Sequence, residues 1–242
     1  MSIERSQITV NGLPVQIVRK AIKNLHRGVY PPHGRVRVAA PLRLSDDAVR
    51  LAVISKLGWI NRQQARFEAQ PRQSSREMVS GESHYFLGRR YRLRIQSGST
   101  RVGGVVLKKS AIELHVPART GVQQRERLLH RWYRQQLKAM IPPLVERWQG
   151  RLGVQLAEWG VKKMKTRWGT CNAEARRTWL NLELVKKPVH CLEYLIVHEL
   201  IHLLERRHND RFVALMDLHL PGWRQYRQEL NAAPLAHDSW TY

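Results

Sequence analysis

The stretch from Cys191 to Leu204 constrains this chain most. Leu192, Leu195, Ile196, Leu200, Ile201, Leu203 and Leu204 dominate it, and an apolar run of that length calls for a buried helix. Buried polar groups need partners, yet this run also carries His198, Glu199 and His202. Histidines four residues apart share one helix face, about a turn from each other, so both rings can reach one metal ion. Glu199 points about 100° away and stands beside such an ion, where it can take a proton from water. His208 offers a third nitrogen just past the expected helix end. Three protein ligands leave a fourth position open, which a catalytic Zn2+ site needs and a structural one does not. The alternative, ordinary packed histidines, would leave three imidazoles and a carboxylate unpartnered in an apolar segment.

The third ligand has rivals. The spacing of His198, His202 and His208 equals that of the long metzincin motif, but Glu205 replaces the glycine expected between the last two. Glu205 itself continues the i, i+4, i+7 face, and Glu229 is a distant carboxylate of the kind other zincins use. His208 is favoured, because a Glu205 one turn beyond His202 more often pairs with a neighbouring arginine such as Arg206 or Arg207.

Lys and Arg number 42 against 19 Asp and Glu, giving a formal charge of +23. Such a field attracts polyanions, so nucleic acid or nucleotides are expected partners of the basic surface. Between Arg119 and Arg167, twelve cations face three acids. The two cysteines, Cys171 and Cys191, form no CxxC pair, which suits a reducing cytoplasm. Residues 1–7 show no apolar core of a secretory signal. No stretch approaches a membrane span, and oligomeric state is left open. No internal repeat is evident.

The patterning predicts an α+β fold in two lobes: an N-terminal α+β lobe over 1–118 and a zincin-like catalytic lobe over 119–242. Residues 7–41 alternate as strands. Ser45 is the expected N-cap of one helix from Asp46 to about Phe67, with Val49, Val53, Leu57, Ile60 and Phe67 as its stripe. Residues 71–81 read as linker. Strands follow around Tyr91–Ile95 and Ile112–Val116, with Gly103-Gly104 as the turn between them. Val122 to Gln149 is helical, and Pro142-Pro143 should kink or split it. Trp179 to Val185 alternates as a strand before the metal helix, with Pro188 in that helix's first turn. Residues 210–219 and 223–231 close the chain as helices, and the tail beyond Pro234 is expected to be loose.

A series of motifs in order resembles the YgjP-like metallohydrolases, a zincin family related to the SprT and WLM proteases. Thr166-Arg167-Trp168-Gly169-Thr170-Cys171 resembles the family's RWGSC element, and Leu180-Asn181 its short strand motif. His198 to His202, His208 and Phe212 follow, then Pro221-Gly222-Trp223. The resemblance implies zinc on His198, His202 and His208, Glu199 as general base, and a sheet edge over 167–181 bordering the cleft. Thr170 stands where serine is usual, and Val213 where tryptophan often follows Phe212.

The expected activity is therefore that of a zinc metallopeptidase. An extended peptide would pair with the strand at Trp179–Val185, and Arg167 is the candidate donor to the developing oxyanion. Recruitment to nucleic acid by the positive charge fits this reading. Two alternatives share the metal site. One is a nucleotide phosphoanhydride hydrolase, with Lys162, Lys163, Lys165, Arg167, Arg206 and Arg207 clamping phosphates. The other is a basic nucleic-acid-binding module with a structural metal.

Overall fold

A computed structural model describes residues 4–30, 34–69, 76–98, 104–164 and 167–232. The tail beyond Pro234, Gly103 of the expected turn, most of the linker, Lys165 and Thr166 lie outside them. The chain forms two compact units, 1–73 and 74–242. Its class is α+β, with six α-helices and three sheets among the described residues.

The first unit carries β1 (Glu4–Val10), β2 (Leu13–Lys20), β3 (His26–Tyr30) and β4 (Arg35–Pro41) in the order β1-β2-β4-β3. β1 and β2 form a hairpin whose loop is Asn11-Gly12, both at positive φ. That two-residue turn matches the right-handed twist of the flanking strands. β4 runs parallel to β2 and antiparallel to β3. Val15, Ile17, Val36 and Val38 alternate inward onto Val49, Val53 and Ile60 of the following helices. Those helices are α1 (Asp46–Ile54) and α2 (Leu57–Ala69), where one continuous helix was expected. Ser45 does cap the first, accepting from the Ala48 N–H. The break follows from Ser55, whose hydroxyl donates to the Ala52 carbonyl at 3.0 Å and so competes with the helix ladder. The side chain of Phe67 is outside the described residues.

The second unit repeats the first sheet's topology. β5 (Ser83–Phe86), β6 (Arg89–Ser97), β7 (Gly104–Leu107) and β8 (Ala111–Val116) lie in the order β5-β6-β8-β7. An antiparallel hairpin again opens the sheet, its second strand again pairs in parallel with the fourth, and the third again closes antiparallel. Leu87-Gly88 takes the place of Asn11-Gly12, also at positive φ. This corrects the expectation of no repeat: the likeness is in pairing order and turn position, which few shared residues reveal.

α3 (Val122–Leu152) follows and runs unbroken through Pro142 and Pro143. Both prolines are exposed, while Leu137, Ile141, Val145 and Trp148 stay buried around them. Packing of that face holds the helix together where two backbone donors are missing. A three-stranded sheet comes next: β9 (Glu158–Lys162), β10 (Gly169–Asn172) and β11 (Arg177–Asn181), ordered β10-β11-β9. The expected strand 179–185 ends at Asn181. Residues Leu182–Lys186 turn as a 3-10 helix with Leu182, Glu183, Leu184 and Val185 all buried, so the alternating leucines do not mark two faces there. α4 (Val189–Ile201), α5 (Asp210–His219) and α6 (Trp223–Ala232) complete the chain.

The sheet of β5–β8 shares one core with α3 and α4, including Leu93, Ile112, Leu114, Tyr133, Leu137, Leu195 and Ile196. Leu87 N–H donates to the Val185 carbonyl at 2.8 Å, and a Cβ on Gly88 would lie 2.8 Å from Pro188 at the head of α4. Residues 83–116 therefore pack with α4, and the division between units falls at 73/74, whereas the sequence patterning places it at 118. No helix among the described residues is long and apolar enough to cross a membrane.

Candidate active site

α4 is apolar almost all round and nearly all buried. Pro188 is its N-cap rather than its first residue, and the missing proline donor costs nothing in either place. The helix ends at Ile201 with His202 as C-cap. Leu203 N–H then bonds the Leu200 carbonyl and Leu204 N–H the Ile201 carbonyl, a 3-10 tightening of the last turn. The chain thus reverses with no positive-φ residue among the described positions 202–209, which explains how Glu205 is tolerated in place of glycine.

The three histidines converge. Ligand atoms of His198, His202 and His208 lie within 4.8 Å of one another. The Nε2 atoms of His198 and His208 are 3.0 Å apart. His202 Nδ1 lies 3.1 Å from the Glu205 carbonyl, so Nδ1 carries the hydrogen and Nε2 is left as a bare lone pair. Phe212, 2 % exposed, packs against all three rings at centroid distances of 4.9, 4.9 and 4.7 Å. It is held there by Asn209, whose side chain caps α5 by accepting from the Phe212 N–H.

These residues fit a zinc ion. Zinc takes neutral imidazole nitrogens, and burial pushes His198 down to about 3, with His202 and His208 adding to the effect. Burial also lowers His208. Two ring nitrogens facing each other at 3.0 Å are repelling acceptors when both are bare, and a shared cation removes that conflict.

Glu199 is 4 % exposed. Burial drives its pKa up to about 8, and the charge of Arg167 pulls the other way. An ideal Cβ built on Gly169 would lie 2.5 Å from Glu199 Oε1. Only glycine leaves room for the carboxylate at this point of β10. Gly169→Ala should keep its zinc, since no ligand changes, and lose activity on the order of 10²-fold through displacement of the carboxylate. Metal content and turnover measured on the same preparation check this.

The cleft over these groups is open, about 690 Å³, and is bordered by Arg167, Gly169–Glu174, the three histidines, Glu199 and Arg206. The strand at its rim is β10. β11, expected to be the strand that receives substrate, lies between β10 and β9 and has no free edge. Asn181 anchors the segment leading into β10. It is fully buried, donates to the carbonyls of Met164 at 2.9 Å and Arg167 at 2.7 Å, and accepts from Met164 and Glu183 N–H groups. Asn181→Ala removes the partners of the Met164, Arg167 and Glu183 backbone groups and should cost about 2–3 kcal/mol, read as a shift of the denaturant midpoint.

The rival ligands lie elsewhere. The Glu205 carboxylate turns outward and accepts from Arg207 N–H at 3.0 Å. Glu229 bonds His190 at 2.6 Å. Arg206 is at the cleft but pairs with Glu174 at 3.3 Å. The parts that sequence reasoning missed are the close approach of Gly169, the support given by Phe212 and the anchoring by Asn181. All three residues belong to the quoted motifs, but their tasks depend on neighbours distant in sequence.

The model of the YgjP-like family, described as a metallopeptidase domain, matches residues 26–233. The chain belongs to the YgjP-like family. The match takes in β3 onward, so the β5–β8 sheet and the histidine cleft of this YgjP-like chain fall within the family domain, while β1 and β2 precede it. A comparison with curated proteins found no match.

Proposed function

We propose that this protein is a zinc-dependent peptidase in which His198, His202 and His208 hold the ion and Glu199 is the general base. The observation that carries this reading is the buried Glu199 carboxylate beside three converging imidazoles in an open cleft. When bound, zinc supplies a Lewis acid and brings the pKa of coordinated water from ~15.7 to roughly 7. Glu199 accepts a proton from the attacking water and delivers it to the leaving amine. Gly169 leaves the carboxylate the space to do so, and Arg167 on the cleft wall donates to the developing oxyanion.

An extended peptide adds to β10, whose far edge has no strand partner among the described residues. Strand addition of this kind recruits backbone hydrogen bonds without demanding particular side chains. The free thiols Cys171 and Cys191 suit a reducing, cytoplasmic setting.

Hydrolysis of nucleotide phosphoanhydrides is the less supported reading. Of the six cations that would clamp phosphates, Lys165 lies outside the described residues, and among the other five only Arg167 and Arg206 border the cleft. Lys162 lies over the Trp179 ring at 3.4 Å, and Arg206 is engaged by Glu174. Incubation of zinc-loaded protein with casein, and separately with nucleoside triphosphates, tests the choice. Chelator-sensitive cleavage of casein is expected. Phosphate or pyrophosphate release with casein intact would overturn the peptidase reading. Inactivity on both with tight DNA binding would point to the non-enzymatic alternative.

A further inference from the structure

Arg127, Arg131, Arg134 and Lys138 follow one another along α3 at intervals of four, three and four residues. At 3.6 residues per turn they fall within an arc of about 60°, spread over ~16 Å of helix. Arg127, Arg131 and Lys138 are exposed and Arg134 is half-buried. None of the four makes an ion pair or side-chain hydrogen bond. No acid lies in the arc: its flanks are Gln123, Gln124 and Gln135, and Glu126, adjacent in sequence to Arg127, turns toward His130.

An ordinary solvated helix face mixes signs, because like charges at i, i+3 and i, i+4 destabilise the helix. Here each successive pair in the row carries the same sign, and no acidic side chain among the described residues pairs with them. The α3 sequence that produces the arc also contributes to a chain charge of +23. A linear, unpaired cationic row complements a linear row of anions.

We propose that the Arg127–Lys138 face of α3 docks duplex nucleic acid through its backbone phosphates. Duplex DNA presents one charge per ~1.7 Å of axis, so the row lies against roughly ten of them. Other polyanions fit less well. A membrane surface calls for apolar side chains that insert beside the cations, and the one large apolar residue of α3 that is exposed, Val122, lies outside the arc. Single strands call for aromatic platforms, and Trp132, Tyr133 and Trp148 are all buried. An acidic protein partner calls for central aromatic or apolar anchors, and the arc has none. The proposal is independent of the peptidase reading, since it uses no residue of the cleft.

The test is fluorescence anisotropy of a labelled random-sequence duplex titrated with zinc-loaded full-length protein over a series of salt concentrations. Two quadruple variants are compared: R127Q/R131Q/R134Q/K138Q and a control, R43Q/K56Q/K108Q/K109Q, which removes the same charge from exposed positions elsewhere. The first should bind at least about tenfold more weakly at low salt and lower the slope of log K against log salt by roughly 3–4. Its zinc content and casein cleavage should not change. The control should keep most of the wild-type slope. Should the first variant misfold, R127Q/R134Q and R131Q/K138Q are each expected to lower the slope by roughly half as much. Equal losses in both quadruple variants would assign binding to net charge and overturn the site. So would wild-type protein that ignores the duplex but binds single strands, anionic vesicles or polyglutamate.

Discussion

Glu199→Gln should retain a full equivalent of zinc and lose turnover by about 10²–10⁴-fold, the range that a positioned general base supplies. The substitution is nearly isosteric, so the close packing against Gly169 is preserved. The three imidazoles keep their orientation, because His202 is fixed by the Glu205 carbonyl and all three rings rest on Phe212. What is lost is the ability to take and return a proton. Peptide hydrolysis followed on the variant and wild type at matched metal content checks this. A variant of near-normal rate would remove Glu199 from the chemistry.

His202→Ala should lose both metal and activity. Two imidazoles are too few to hold zinc against competition from solvent, and the fold then forfeits the stability that metal binding supplies. At free zinc a hundred to a thousand times its Kd, that contribution is about 3–4 kcal/mol. Wild type should therefore drop in melting temperature when chelator is added, while His202→Ala should not respond to chelator. Elemental analysis and paired melting curves read both outcomes. A chelator-sensitive melting curve in the variant would show that His202 is not a ligand.

The site was legible in the sequence because its main parts obey local rules. His198, Glu199 and His202 depend only on helix periodicity, and His208 on a short reach past the helix end. The supporting parts depend on register and packing between distant segments. Gly169 meets Glu199 across thirty positions, a contact fixed by pairing of β10 with β11 and by α4 lying beneath. The leucines at 180, 182 and 184 alternate like a strand, yet only Leu180 lies in one; the Asn181 side chain accepts from Glu183 N–H at the head of a 3-10 helix over 182–186, in which Glu183 is buried beside the leucines. Pro142-Pro143 reads as a break, but the buried face of α3 overrides local propensity. The boundary at 118 misassigns β5–β8, because alternation shows that a sheet has an inner face without showing what covers it.

Everything in the proposed chemistry depends on one ion held by three imidazoles with one coordination position open. X-ray absorption at the zinc edge of protein loaded with one equivalent tests it most directly. Three nitrogen scatterers at ~2.0–2.1 Å and a light-atom ligand completing the shell are expected. A sulfur scatterer at ~2.3 Å, which would bring in Cys171 from the cleft wall, or failure to retain zinc, would contradict it.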